Sequence, residues 1–209
     1  YSTSNVIANG ATMVGGLVGH NHEHGLIENS YATGIVIGKD SVSGLVGSNE
    51  RNSSINSSYA LGAITGTTNI GGLAGQNIDG ATISNSFWNS ETTGQTQAVG
   101  NNLGTLSNVL GLTIAQMFDK NNFTGFDFSS VWGNGDNQTT PYLLNMANNQ
   151  VFNKNDLPTG TISSTNRPVL YTAILNVNQL QNMNQNLSGK YLLGNNIDAS
   201  DTVNWNSGA

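Results

Sequence analysis

The sequence contains no cysteine, only three prolines and only six basic residues in 209 positions. Without cysteine there is neither a disulfide scaffold nor a thiolate metal site. The basic residues, Lys39, Arg51, Lys120, Lys154, Arg167 and Lys190, are scattered, and the net charge is −6. That distribution excludes a nucleic-acid footprint, which needs clustered cations. No apolar run reaches the roughly 18 residues that a membrane-spanning helix requires, so no membrane insertion by a helix is expected. Charged residues make up just 9% of the chain, too few for a salt-bridged helical surface. What abounds instead is asparagine, at 33 positions, and glycine, at 26. Both favour turns and depress helix propensity.

These residues fall on a template. Leu17, Leu45 and Leu73 lie 28 residues apart, as do Tyr31, Tyr59 and Phe87. The same interval relates Val14, Val42 and Ile70; Gly16, Gly44 and Gly72; Asn21, Asn49 and Asn77; Ile27, Ile55 and Ile83; and Ser30, Ser58 and Ser86. Tyr1-Ser2-Thr3 reads like Tyr31-Ala32-Thr33 at an interval of 30, which puts two extra residues near Ala8 to Ala11, in a turn. A fixed period of this length signifies stacked supersecondary units. Hydrophobic residues at 36% on a repeating template also separate the chain from generic disorder.

The units are short aliphatic runs, such as Ile35-Val36-Ile37 and Ser43-Gly44-Leu45-Val46, bounded by turn residues. They read as strands. A chain that returns to the same residue type every 28 positions coils into an all-β, right-handed parallel β-helix, each turn advancing by about 4.8 Å. Equivalent residues then stack: Tyr31, Tyr59 and Phe87 as an aromatic ladder, and Asn21, Asn49 and Asn77 as an amide ladder. Two orientations fit the aromatic ladder. It points into the coil, or Ala32, Gly34 and Val36 form the inward face and Tyr31 lies outside. The recurring glycines mark bends where a side chain would clash or where φ is positive.

The repeats occupy residues 1–94. Residues 95–149 read as a partly helical closing cap, with Thr113-Ile114-Ala115-Gln116 as a capping box that puts Ile114, Met117 and Phe118 on one helical face. Phe123, Phe126, Phe128, Trp132, Tyr142 and Leu143 supply its apolar load. Residues 150–175, with breakers at Pro158 and Pro168, read as a connector. Residues 176–209 read as the opening of a second β-helical block, with Leu180, Met183 and Leu187 on a short amphipathic helix and Lys190 to Gly194 as a strand. The chain starts inside one repeat and stops inside another motif, so it reads as a piece of a longer protein.

Gly-Gly-Leu-Val-Gly at 15–19, with Asn-Ser-Tyr-Ala-Thr-Gly at 29–34, resembles the GLUG repeat. That repeat occurs in filamentous-haemagglutinin-like bacterial surface adhesins exported by two-partner secretion, and in the N-terminal region of IgA-specific metallopeptidases. The tail from Gln179 to Ser200 is similar to the segment that opens a repeat block in those proteins. Ser86-Phe87-Trp88-Asn89 through Pro141-Tyr142-Leu143 resembles the segment that closes one. The departures are Ser43 for the first glycine of the second copy, Ala74 for valine in the third, and Phe87-Trp88-Asn89 for Tyr-Ala-Thr at the block end. The resemblance implies a secreted, cell-surface stalk or adhesive fibre. Its partners would be host-cell glycans or proteins, or other bacterial surfaces, with an outer-membrane secretion partner engaging a region outside this chain. It implies no catalytic residue here, because the zinc site of the metallopeptidases lies in a separate domain and no H-E-x-x-H occurs in this sequence.

Other constellations carry residue types capable of chemistry. His20, His22 and His24 alternate, so an extended strand would place all three on one face within reach of Zn²⁺. The other copies carry Ser48, Glu50 and Asn52, and Gln76, Ile78 and Gly80, so the stretch reads as a variable, solvated loop. Asp127 and Asp136, with Asn134 and Asn137, lack the spacing of a Ca²⁺ loop and read as a turn. The twelve acidic residues read as having no periodic stacking, so a carboxylate pair for glycoside hydrolysis is unsupported; the alternative function is a polysaccharide-binding or polysaccharide-degrading β-helix of lyase type, resting on fold class alone. Five Asn-x-Ser/Thr sequons, at Asn52, Asn56, Asn122, Asn137 and Asn186, are what chance supplies in so asparagine-rich a chain. No catalytic, cofactor or metal residue is assigned from sequence.

Overall fold

The computed structural model describes residues 1–200, 202, 203 and 205. Its first half is a parallel β-solenoid of about three turns. Each turn is a set of short strands: in the second, Val36–Ile37, Asp40–Ser43, Val46–Asn49, Ser54–Asn56 and Tyr59–Ala60. Each pairs in parallel with its equivalents one turn before and after, so Tyr59 faces Tyr31 and Phe87, and Val46 faces Val18 and Ala74. The strands are short because glycine, asparagine and serine interrupt every aliphatic run. Backbone hydrogen bonding is therefore completed between turns rather than along long strands. Val6 pairs with Val36 while Thr12 pairs with Asp40, which places the two extra residues of the first turn between them.

The bore is filled by residues of these strands and of the bends between them: Ile27, Ala32, Leu45, Val46, Ile55, Ala60, Leu73, Ala74 and Ile83. Val14, Val36, Val42 and Ile64 fill a second corner. Trp88 stands in register with Ala60, and its indole closes the bore in the third turn, donating its N–H to the Gln95 carbonyl at 2.8 Å. The replacement of alanine by tryptophan at the end of the template is thus a plug.

The glycines of the template allow close approach. A Cβ on Gly44 would lie 2.7 Å from the Ala60 Cβ and 2.7 Å from the Gly72 carbonyl oxygen. The left-handed positions recur at 28-residue spacing too, but on other residues: Met13, Ser41 and Asn69; Glu23, Arg51 and Asp79; Asn29, Ser57 and Asn85. The bends with positive φ therefore belong mostly to polar residues, with Met13 the apolar exception.

Stacking continues past residue 94. Val99–Asn102 pairs with Ala74–Asn77, and Thr105–Leu112 pairs with Thr82–Asn89, so the segment expected as a cap begins as a further rung. After Leu112 the chain leaves the coil through the helix Ile114–Met117. Thr113 Oγ1 accepts from the Gln116 N–H at 3.3 Å, while the Gln116 side chain accepts from the Thr113 N–H at 2.9 Å. Ile114, Met117 and Phe118 are all buried.

Residues 118–152 then run along the flank of the solenoid. Within the stretch expected as a connector, Gln150–Phe152 pairs antiparallel with Leu170–Ile174, and Tyr191–Leu193 pairs parallel with the latter. Arg167 reaches back to the coil, its Nη2 donating to the Thr33 carbonyl at 3.0 Å and the Leu61 carbonyl at 3.3 Å. The helix Val177–Asn182 carries Leu180 and continues as a 3₁₀ turn through Met183 to Gln185; Leu187 beyond it is exposed.

Candidate functional site

The amide column is continuous. Asn21 Nδ2 donates to Asn49 Oδ1 at 2.7 Å, Asn49 Nδ2 to Asn77 Oδ1 at 2.9 Å, and Asn77 Nδ2 to Asn102 Oδ1 at 2.9 Å. Asn21, Asn49 and Asn77 are buried, and each of the first two also donates to a carbonyl beyond the turn, Ser54 and Thr82 respectively. Burial of an amide is costly unless both its ends are bonded, and the stack satisfies both for every inner member. Asn102 was missed in the sequence because its interval from Asn77 is 25 rather than 28. Val99-Gly100-Asn101-Asn102 against Ala74-Gly75-Gln76-Asn77 was the available signal.

The aromatic column points away from the bore, which settles the open choice: Ala32 and Ala60 face inward, and Tyr31 and Tyr59 face outward. Tyr1, Tyr31 and Tyr59 stack with ring centroids 5.0 and 5.1 Å apart and planes within 7°. The column is nevertheless buried, because the later segment covers it. Trp132 lies 6.2 Å from Tyr31 and 5.8 Å from Tyr59, and Phe123 and Phe126 lie 5.1 and 5.6 Å from Phe87. The Tyr31 hydroxyl donates to Asn149 Oδ1 at 2.8 Å, and that of Tyr59 donates to the Pro141 carbonyl. Phe87 meets the Phe123 and Phe126 rings there, so the loss of the hydroxyl at that copy fits its surroundings.

Burial raises the phenol pKa values of Tyr31 and Tyr59 well above the ordinary range, with a smaller contribution from the tyrosine stacked alongside. A folded-state pKa raised above the unfolded one contributes stability below the unfolded value, and that stability is lost as pH rises through and beyond it. The urea midpoint is accordingly expected to hold steady to about pH 9 and fall past about pH 10, where unfolded tyrosine ionises. A Tyr31→Phe, Tyr59→Phe double variant should start lower and show a flatter alkaline slope; an unchanged slope would refute the assignment.

Outside the bore polar side chains also stack, partly covered where Thr124 and Gly125 of the flank meet Asn108 and Asn85. Asn56 Nδ2 donates to Glu28 at 3.1 Å, Asn56 Oδ1 accepts from Ser84 and Asn85, and Asn108 Nδ2 donates to Asn85 Oδ1 at 2.9 Å. On another face Asp40 accepts from Thr68 at 2.6 Å and from Asn69 at 2.9 Å, and these bonds hold its carboxyl below the usual range. Charges of opposite sign do stack: Glu23, Arg51 and Asp79 occupy equivalent positions of three successive turns, with Arg51 Nη1 3.2 Å from Glu23 Oε1. The column escaped notice because its members differ in sign.

The histidines do not share a single face. The strand Val18–Asn21 ends before His22, and Glu23 and His24 take left-handed φ of 50° and 64°, which carries His24 off the line. His20 and His22 stay together, with rings 4.8 Å apart, and Glu50 of the next turn contacts His20. The turn at 127–137 holds no convergent carboxylates. Asp127 Oδ1 accepts from Ser129 and from the Ser130 N–H, and its Oδ2 from the Ser130 hydroxyl, an arrangement that brings its pKa down to about 2; Asn134 Nδ2 donates to Asn137 Oδ1 at 2.7 Å.

Stacked parallel turns with ladders of like residues define a repeat protein of the β-solenoid class. Residues 10–37, one turn of the coil, match the family model described as the GLUG motif. The in-register pairing of the next two turns carries the same template through Asn77 and Phe87, which is consistent with a GLUG-repeat region. No curated protein and no solved structure matches the chain.

Proposed function

We propose that the chain is a non-catalytic segment of a secreted bacterial cell-surface adhesin, a β-helical stalk or adhesive fibre serving attachment to host cells or surfaces. The observation that carries this reading is the outer polar columns, Glu28 with Asn56, Ser84, Asn85 and Asn108, and Asp40 with Thr68 and Asn69. They present amides, hydroxyls and carboxylates at the repeat of the coil. That is a donor and acceptor array suited to hydroxyl-rich chains such as glycans, and the GLUG motif supports the same context. The opening of a further block expected at 176–209, part of which lies outside the described residues, would extend the fibre.

The test is a glycan array together with binding to epithelial cells. Saturable binding that Asn56→Ala with Asn85→Ala weakens is the expected result. A segment that binds no glycan and no cell surface would leave the stalk reading without adhesion. The Glu23, Arg51 and Asp79 column favours one alternative, a polysaccharide-degrading β-helix. There Glu23 and Arg51 are spent on each other, and an assay for unsaturated sugar ends released from acidic polysaccharides decides between the two.

A further inference from the structure

We infer that His20, His22 and Glu50 form a binding site for a divalent transition-metal ion, zinc by the chemistry of its donors. Each residue offers one ligand atom, and the three atoms lie within 4.8 Å of one another. Among the described residues no other set of three or more such groups converges. Zinc–nitrogen and zinc–oxygen bonds of about 2.0–2.2 Å put tetrahedral donors about 3.3 Å apart. The set therefore closes on an ion by small side-chain rotations, and these are available because His20 and His22 remain about one-third exposed. Two imidazoles and a carboxylate suit zinc, copper or nickel and not calcium or magnesium, which prefer all-oxygen shells. The fourth position would be left to water.

The site is built by the solenoid rather than by a loose loop. His20 lies on the strand Val18–Asn21, and Asn21 between the two histidines is buried while both imidazoles stay partly exposed with their rings 4.8 Å apart. Glu50 is the 28-residue equivalent of His22. Its backbone N–H donates to the Asn21 carbonyl at 3.0 Å, which fixes it directly above the pair. Asn21 is in turn held by Asn49 at 2.7 Å, so two turns lock the backbone that carries the ligands. Glu23 Oε1 lies 3.9 Å from His22 Nδ1, beyond hydrogen-bond distance, and is paired with Arg51 at 3.2 Å, so the carboxylate beside the site is already engaged. An ion here would staple the first turn to the second.

Isothermal titration of zinc chloride into the tag-free chain near neutral pH tests this. One ion per chain is expected, with a rise in melting temperature that excess calcium does not reproduce. His20→Ala, His22→Ala and Glu50→Gln should each weaken binding at least about tenfold, while His24→Ala leaves it unchanged. Metal-free melting temperatures of all four variants should match the parent, since these side chains are largely outside the core; this separates lost binding from lost folding. No zinc uptake, equal uptake by all variants, or loss with His24→Ala equal to that with His22→Ala would overturn the site.

Discussion

Gly44→Val is expected to lower stability by about 3 kcal/mol or more, the upper range for forcing extra groups into a packed interior. The reason is local. A Cβ at this position would meet the Ala60 Cβ and the Gly72 carbonyl at 2.7 Å each, and Ile64 at 3.4 Å. The Gly72 carbonyl accepts from the Gly44 N–H at 3.2 Å. Making room for a branched side chain therefore pulls the second turn off the third and breaks a ladder bond, while the amide column at the end of the next strand resists the shift. For a chain of this size each kcal/mol moves the melting temperature by about 2–4 °C, so a drop of roughly 6–12 °C is expected. His24→Ala, in an exposed turn, is the control and should stay within about 0.5 kcal/mol of the parent. A Gly44→Val chain that melts with this control would sink the close-packed stacking of the turns.

The period of the coil was legible because every turn repeats the same demands. Leu17, Leu45 and Leu73 each fill one layer of the bore, and a side chain that fits one layer fits the next. Three features broke that logic. The rung at 99–112 was hidden because its offset shrinks to 25 at Asn102 and 23 at Leu112, once the turn before it shortens. The direction of the aromatic column could not be read from Tyr59-Ala60, since alternation says only that the two residues face opposite ways. What decides the matter is that Phe123, Phe126 and Trp132, with no periodicity of their own, return to cover the tyrosines. The convergence of Glu50 with His20 and His22 was missed for a related reason. The histidines were compared with their replacements in other copies, although in a solenoid those replacements are also the neighbours one layer away.

Tyr59→Asp is expected to destabilise by about 3–5 kcal/mol at neutral pH through the lost aromatic volume alone, and by more because of the charge. Tyr59 is fully buried between Tyr31 and the Phe123, Phe126 and Trp132 rings. An aspartate there leaves a void, removes the donor to the Pro141 carbonyl, and places a carboxyl where water cannot reach it. Desolvation raises such a carboxyl above its unfolded value near 4. Relative to neutral pH the damage should therefore shrink as pH falls toward 4 and grow as pH rises from there. Tyr59→Phe keeps the stack and loses only the hydroxyl bond, which costs about 1–3 kcal/mol, so it should recover much of the loss. The site of failure is also specified. Because Tyr59 faces the flanking segment, the contacts of residues 118–152 should loosen first, with Trp132 emission shifting red and protease cutting appearing there before the coil melts. If Tyr59→Asp instead unfolds coil and flank in one step, the column is part of the coil's own core rather than its seam with the segment that covers it.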